Sequence, residues 1–118
     1  MGLFDVPVTL INPDDRQRAI TIAMLVDTGS TYMLLPPEVV AALALPIREQ
    51  REAELASGER VLYGVGEVRV RLFDREYANV FVAGPPGCPT LLGAFTLEAF
   101  GLAADPVHER IFPVVARL

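Results

Sequence analysis

Ile22-Ala23-Met24-Leu25-Val26-Asp27-Thr28-Gly29-Ser30 is the stretch that decides the fold. An unbroken apolar run leads directly into a carboxylate. A carboxylate at the mouth of a buried strand is costly unless it is hydrogen-bonded or used. Thr28 and Ser30 offer hydroxyl donors able to hold an ionised carboxylate, and Gly29 lets backbone come close. The following residues, Thr31-Tyr32-Met33-Leu34-Leu35-Pro36, again read as buried strand, so the turn is set into a core. Farther on, Leu91-Leu92-Gly93 is a second apolar pair closed by glycine and followed by a helix-like segment.

Working outward, residues 4–11 are rich in Val, Leu and Ile and end at the turn signal Asn12-Pro13-Asp14-Asp15. With the apolar run 19–26 they read as a hairpin leading into Asp27. Residues 31–35 form a short return strand. Pro36-Pro37-Glu38 starts a helix over 38–45, with proline in the first turn, an acid near the positive end and a stop before Pro46. Residues 51–56 and 60–63 make a hairpin around Ser57-Gly58-Glu59. Val68-Arg69-Val70-Arg71-Leu72 alternates strictly, so one face is wet and one buried. Residues 77–83 give another strand, 94–100 a short helix stopped by Gly101, and 111–116 a closing strand that Pro113 restricts to an edge or a bulge. Many short strands with two short helices predict a mainly β, barrel-like domain.

Length and composition narrow the function. At 118 residues the chain reads as one domain, 1–118, long enough to bury a core without staples. A net charge of −5 argues against a nucleic-acid partner, because phosphate binding needs a basic face. Cys88 is the chain's single cysteine, so no internal disulfide forms, and its Pro/Gly-rich loop has nothing to lower the thiol's pKa. With His108 as the single histidine, the usual zinc ligand set is missing, and no metal or other cofactor is expected. Gly64-Val65-Gly66 is too short for a dinucleotide loop. No basic region precedes an apolar stretch at Met1 to Asp5, and Val6 stands where a myristoylation motif at Gly2 wants Ser or Thr. No apolar run is long enough to span a bilayer, and the cytoplasm is the expected compartment.

An apolar strand ending in Asp-Thr-Gly-Ser, with Leu-Leu-Gly some sixty residues later, resembles the retropepsin type of aspartic protease. The order of elements across residues 5–116 is similar to that family as well. The resemblance implies a retropepsin-like closed β-barrel, the single lobe of the acid protease fold, with one or two short helices. It implies that Asp27 is the catalytic carboxylate. Thr28 would lock two turns together across a dimer axis, Gly29 would present backbone to substrate, and Ser30 would hydrogen-bond the carboxylate. The hairpin tip Ala56, Ser57, Gly58 and Glu59 stands in the place of the substrate-covering flap. Leu91, Leu92 and Gly93 would pass behind the catalytic turn. Retroviral members carry an acidic residue just after the turn and an arginine after the second motif's glycine; here those positions are Thr31 and Ala94.

The resemblance implies an aspartic endopeptidase that acts as a homodimer on a peptide or protein substrate, through a water held by paired Asp27 carboxylates. One chain supplies one such turn, and a twofold axis supplies the other. The reading from a different class is a non-catalytic dimerisation or peptide-binding module that keeps the same fold and holds an extended peptide by strand addition.

Overall fold

Asn12 shows how the sequence builds its first turn. Its side-chain oxygen accepts the amides of Asp14 and Asp15 at 2.7 and 3.1 Å. Its side-chain amide donates to the carbonyls of Leu43 and Ala44 at 2.8 and 3.2 Å, so both polar atoms of this buried side chain are used. The turn joins β1 (Phe4–Asn12) to β2 (Asp15–Val26) in an antiparallel hairpin with Phe4 opposite Val26. The computed structural model describes residues 3–118, and the reading made at Met1 and Gly2 lies outside them.

Short β3 (Met33–Leu35) and helix α1 (Pro37–Ala42) follow. Then come β4 (Ile47–Glu54), the long β5 (Arg60–Leu72), β6 (Arg75–Ala83) and β7 (Leu91–Leu92). Helix α2 (Ala94–Ala99) leads to a separate two-stranded sheet of β8 (Leu102–Asp105) and β9 (Arg110–Pro113). The main sheet runs β1-β2-β7-β3-β6-β5-β4, and β5 also pairs with β1 through Thr9↔Arg71, Leu10↔Val70 and Ile11↔Arg69. That pairing closes the sheet on itself and, among the described residues, leaves β4 outside the ring, attached to β5 alone. The mainly β architecture expected from the sequence is the one observed.

Alternation sets the core. Val68, Val70 and Leu72 of β5 point inward, while Arg69 and Arg71 point outward. The inward set meets Leu10, Met24, Met33, Leu35, Phe81 and Leu92 from the other strands, and Leu97 and Phe100 from the α2 region close one end.

Four local expectations change. α1 ends at Ala42, earlier than Pro46 dictates, because Leu43 and Leu45 turn into the core and the chain reverses through Ala44 at φ 51°. Residues 60–63 and 68–72 belong to one strand, since Gly64 and Gly66 stay extended inside β5. A side chain on Gly66 would stand 2.5 Å from the Pro46 carbonyl oxygen and 2.8 Å from the Phe81 ring, so glycine here permits close packing and does not break the strand. β8 was not foreseen, because Leu-Ala-Ala-Asp carries little strand propensity. The closing strand stops at Pro113, the last residue of β9, which among the described residues has β8 on one side only.

Candidate active site

Three strands place Asp27. β7 lies between β2 and β3, parallel to β2 (Leu25↔Leu91, Val26↔Leu92) and antiparallel to β3 (Leu34↔Leu91). The Asp27 amide donates to the Leu92 carbonyl at 3.0 Å, which fixes where β2 ends. The chain then turns tightly, and the Ser30 amide returns to the Asp27 carbonyl at 3.1 Å. The Gly29 amide donates to Asp27 Oδ1 at 3.0 Å. The carboxylate therefore keeps one oxygen engaged by backbone and stands partly exposed at the turn, with Thr28 and Gly29 exposed beside it.

Gly93 lets the second motif pass behind the turn. A Cβ there would lie 2.7 Å from the carbonyl oxygens of both Ser30 and Tyr32, closer than such atoms approach. Just beyond it, the Ala94 and Phe95 amides donate to the carbonyls of Ser30 and Thr31 at 2.8 and 2.9 Å. These backbone bonds join the two segments directly, with Thr31 and Ala94 among the residues they link. Leu91 is half-buried, and Leu92 and Gly93 are buried.

Ser30 behaves differently from the sequence expectation. Its hydroxyl donates to the Tyr32 carbonyl at 2.9 Å, within its own turn, and in this chain the group that holds the Asp27 carboxylate is the Gly29 amide. A hydroxyl two or three residues from a carboxylate has a competing backbone acceptor equally near, and here the acceptor wins.

The hairpin of β4 and β5 stands over a cleft beside the turn. Its tip is closed by Leu55 N–H to the Glu59 carbonyl and Gly58 N–H to the Leu55 carbonyl, both at 2.8 Å, with Gly58 at φ +89°. Ala56, Ser57, Gly58 and Glu59 are exposed at this tip. The cleft measures about 320 Å³ and is lined by Ser30, Thr31, Tyr32, Leu34 and Val82 together with Arg51, Glu52, Ala53, Tyr63 and Val65 of the hairpin arms. Sequence reasoning pointed to the tip and missed the arms. Arg51 and Tyr63, which pair across the hairpin, and Ala53 two residues along share one face of it, and that parity was the signal available. Arg51 lies 5.7 Å over the Tyr32 ring and pairs with Glu49 at 2.6 Å, while Tyr32 meets Phe95 edge-on at 5.8 Å. These contacts tie a hairpin arm to the floor beside Asp27.

Cys88 is half-buried, and burial, with Glu38 adding to it, pushes its thiol up and away from the reactive thiolate. His108 Nδ1 sits 2.7 Å from Asp105, whose carboxyl is held below its ordinary value chiefly by that contact. Among the described residues no group of three or more His, Cys, Asp or Glu is arranged to hold a metal ion, and no helix is long and apolar enough to cross a membrane.

Comparison with known proteins agrees with this geometry. The aspartyl protease family model matches residues 6–94. Among solved structures, that of the EIAV protease complexed with the inhibitor HBY-793 is similar, with a TM-score of 0.61 at 17% identity, over 82% of this chain and 86% of that one. At that identity the likeness is one of fold. No curated protein matches the chain.

Proposed function

The chain belongs to the aspartyl protease family, and from that premise we infer that it is an aspartic endopeptidase working as a homodimer. The supporting observation is the Asp27 carboxylate, held by the Gly29 amide in a turn anchored to Leu92 and opening beside a peptide-sized cleft. Each subunit contributes one Asp27. In the dimer the two carboxylates hold one proton between them, because like charges at such closeness do not both ionise. The ionised one takes a proton from a water as that water attacks the peptide carbonyl, and the protonated one donates to the carbonyl oxygen. Thr28, exposed next to Asp27, is suited to bond its counterpart across the axis. The substrate is a peptide or unfolded protein segment lying extended between the turn and the hairpin. Ala56 to Glu59 cover it from above, and the arm residues Arg51, Ala53 and Tyr63 form one wall.

Two measurements test this reading. Sedimentation should give a dimer at micromolar concentration, and a monomer alone at high concentration, with or without a peptide-like inhibitor, counts against it. Digestion of a mixed unfolded-protein substrate between about pH 4 and 7 should proceed with the wild type, while Asp27→Asn should leave the substrate intact.

A further inference from the structure

β4 ends the main sheet with an open edge: among the described residues it pairs with β5 alone. At the hairpin tip the Leu55 amide donates to the Glu59 carbonyl, continuing the register of Ala53↔Val61 and Glu54↔Arg60. Backbone groups alternate sides along a strand. Those of Arg51 and Ala53 therefore also face β5, and those of Gln50 and Glu52 face the open edge. A row of such groups is a template for another strand, and charged side chains commonly guard it. The guard here is Ile47-Arg48-Glu49-Gln50-Arg51-Glu52-Ala53, with residues 47–52 all exposed.

That stretch is complementary to its own reverse. Two copies laid antiparallel about a twofold axis at Gln50 set each Glu49 opposite the other copy's Arg51. One step out, Arg48 meets Glu52, and one step further the exposed Ile47 meets Ala53. Every charge then faces its opposite. Moving the axis by one residue stacks Arg51 on Arg51 or Glu49 on Glu49, and like charges directly opposite are destabilising. Glu49 and Arg51 already pair within the strand at 2.6 Å, and that pair need not break. It meets its inverted copy and closes a ring of four alternating charges, so no surplus of either sign is required. Arg48 and Glu52 are engaged with Asp14, Glu67 and Arg60, and Arg48 stands at the irregularity between Ile47 and Glu49, so the inner ring carries the register.

We propose that β4 is a self-recognition edge: a second copy of this chain pairs with it antiparallel, in the register centred on Gln50. The two hairpins join into one ribbon, β5-β4-β4-β5, with Gln50 exchanging backbone hydrogen bonds with its counterpart on the axis. This interface is separate from the twofold at Asp27 and does not depend on it. Arg51, Glu52 and Ala53 also line the cleft, so the second copy's strand runs along the cleft's rim. With both twofolds in use, assemblies grow beyond a dimer.

The test is charge complementation in the full chain. Glu49→Arg and Arg51→Glu are purified separately, and their weight-average masses are measured by sedimentation equilibrium, alone and mixed at the same total concentration. Alone, each variant sets like charges opposite one another across the axis. Mixed, the two set Arg opposite Glu at both inner positions. The mixture should associate about tenfold more tightly than either variant alone and approach the wild-type mass, with the gain shrinking as salt rises. Contacts within one chain, Arg51 with Glu49 and Tyr32, are lost in the variants and are not restored by mixing, so a gain reports pairing between chains. Association through Asp27 is common to all samples: the Asp27 reading is judged by the mass of the separate variants, and the β4 edge by the gain on mixing. Gln50→Lys with Gln50→Glu makes the same comparison on the axis itself and decides the matter if Arg51→Glu fails to fold. A mixture whose mass is the mean of its parts overturns the proposal, as it would for an edge that takes an extended peptide instead of a second copy. A wild type no heavier than the separate variants also overturns it.

Discussion

Asp27 gives its amide to the carbonyl of Leu92 at 3.0 Å, so the end of one strand is set by another that arrives much later in the chain. The next residue, Gly93, is where that arrangement is most exposed to change. Gly93→Ala would drive a methyl into the Ser30 and Tyr32 carbonyl oxygens, both backbone atoms that cannot step aside. We expect a loss of about 2 kcal/mol by chemical denaturation, and loss of cleavage with it. Gly58→Ala, where nothing stands within 4 Å and the cost is only the positive φ, should lose about 1 kcal/mol.

Asp27→Asn keeps the shape of the side chain and its acceptor for the Gly29 amide, and removes the general base. Cleavage should fall by at least about a hundredfold while the melting temperature holds or rises. Parallel peptide digestion and thermal melts check it, and an Asn variant that cuts as well as wild type would remove Asp27 from the chemistry.

If the proposed shared-proton chemistry operates, cleavage should follow a bell-shaped pH profile with two limbs. The Ser30 hydroxyl donates to Tyr32, so Ser30→Ala should leave both limbs where they are. A profile displaced by half a unit or more, about 0.7 kcal/mol, would show that the hydroxyl reaches the carboxylates after all.

Arg16 first, then Arg69, by hydrogen bonding, hold Glu76 well below its ordinary value of 4.5. A carboxyl lowered on folding adds stability that is fully present above that ordinary value and is lost as pH falls through the folded one. Glu76→Gln should therefore melt earlier than wild type at neutral pH. The gap should stay constant down to about pH 5 and narrow below it. Melting curves of both proteins from neutral to strongly acid conditions would show a gap that widens toward acid if the assignment is wrong.

The parts legible in the sequence were those governed by short-range pattern. Val68 to Leu72 announced its two faces, Asn12 to Asp15 its turn, and Gly101 the end of α2 through a φ of +66°. Asp27 and Leu91 to Gly93 were found as motifs, and the structure brings them into contact. What stayed hidden was decided by tertiary partners. Gly64 and Gly66 read as a break, yet packing against Ile47, Pro46 and Phe81 makes them strand. The Ser30 hydroxyl had two acceptors within reach, and composition does not say which it takes. Tyr32, Arg51 and Tyr63 become a cleft wall only when the hairpin folds over the floor.

The continuity of β5 bears on how such a cleft opens. One strand of thirteen residues runs from the hairpin tip at Arg60 to Leu72 in the barrel wall, roughly 40 Å of extended chain. Gly66 is closed in by the Pro46 carbonyl oxygen and the Phe81 ring, and Gly64 faces the Ile47 side chain. The hairpin is thus built like a cantilever: its root is paired into the barrel through β6, and its far end is paired only within itself. Stiffness at the tip is then a property of the whole beam. Substitutions in the wall at Val68 or Val70, remote from any peptide, would alter how fast the cleft admits and releases one.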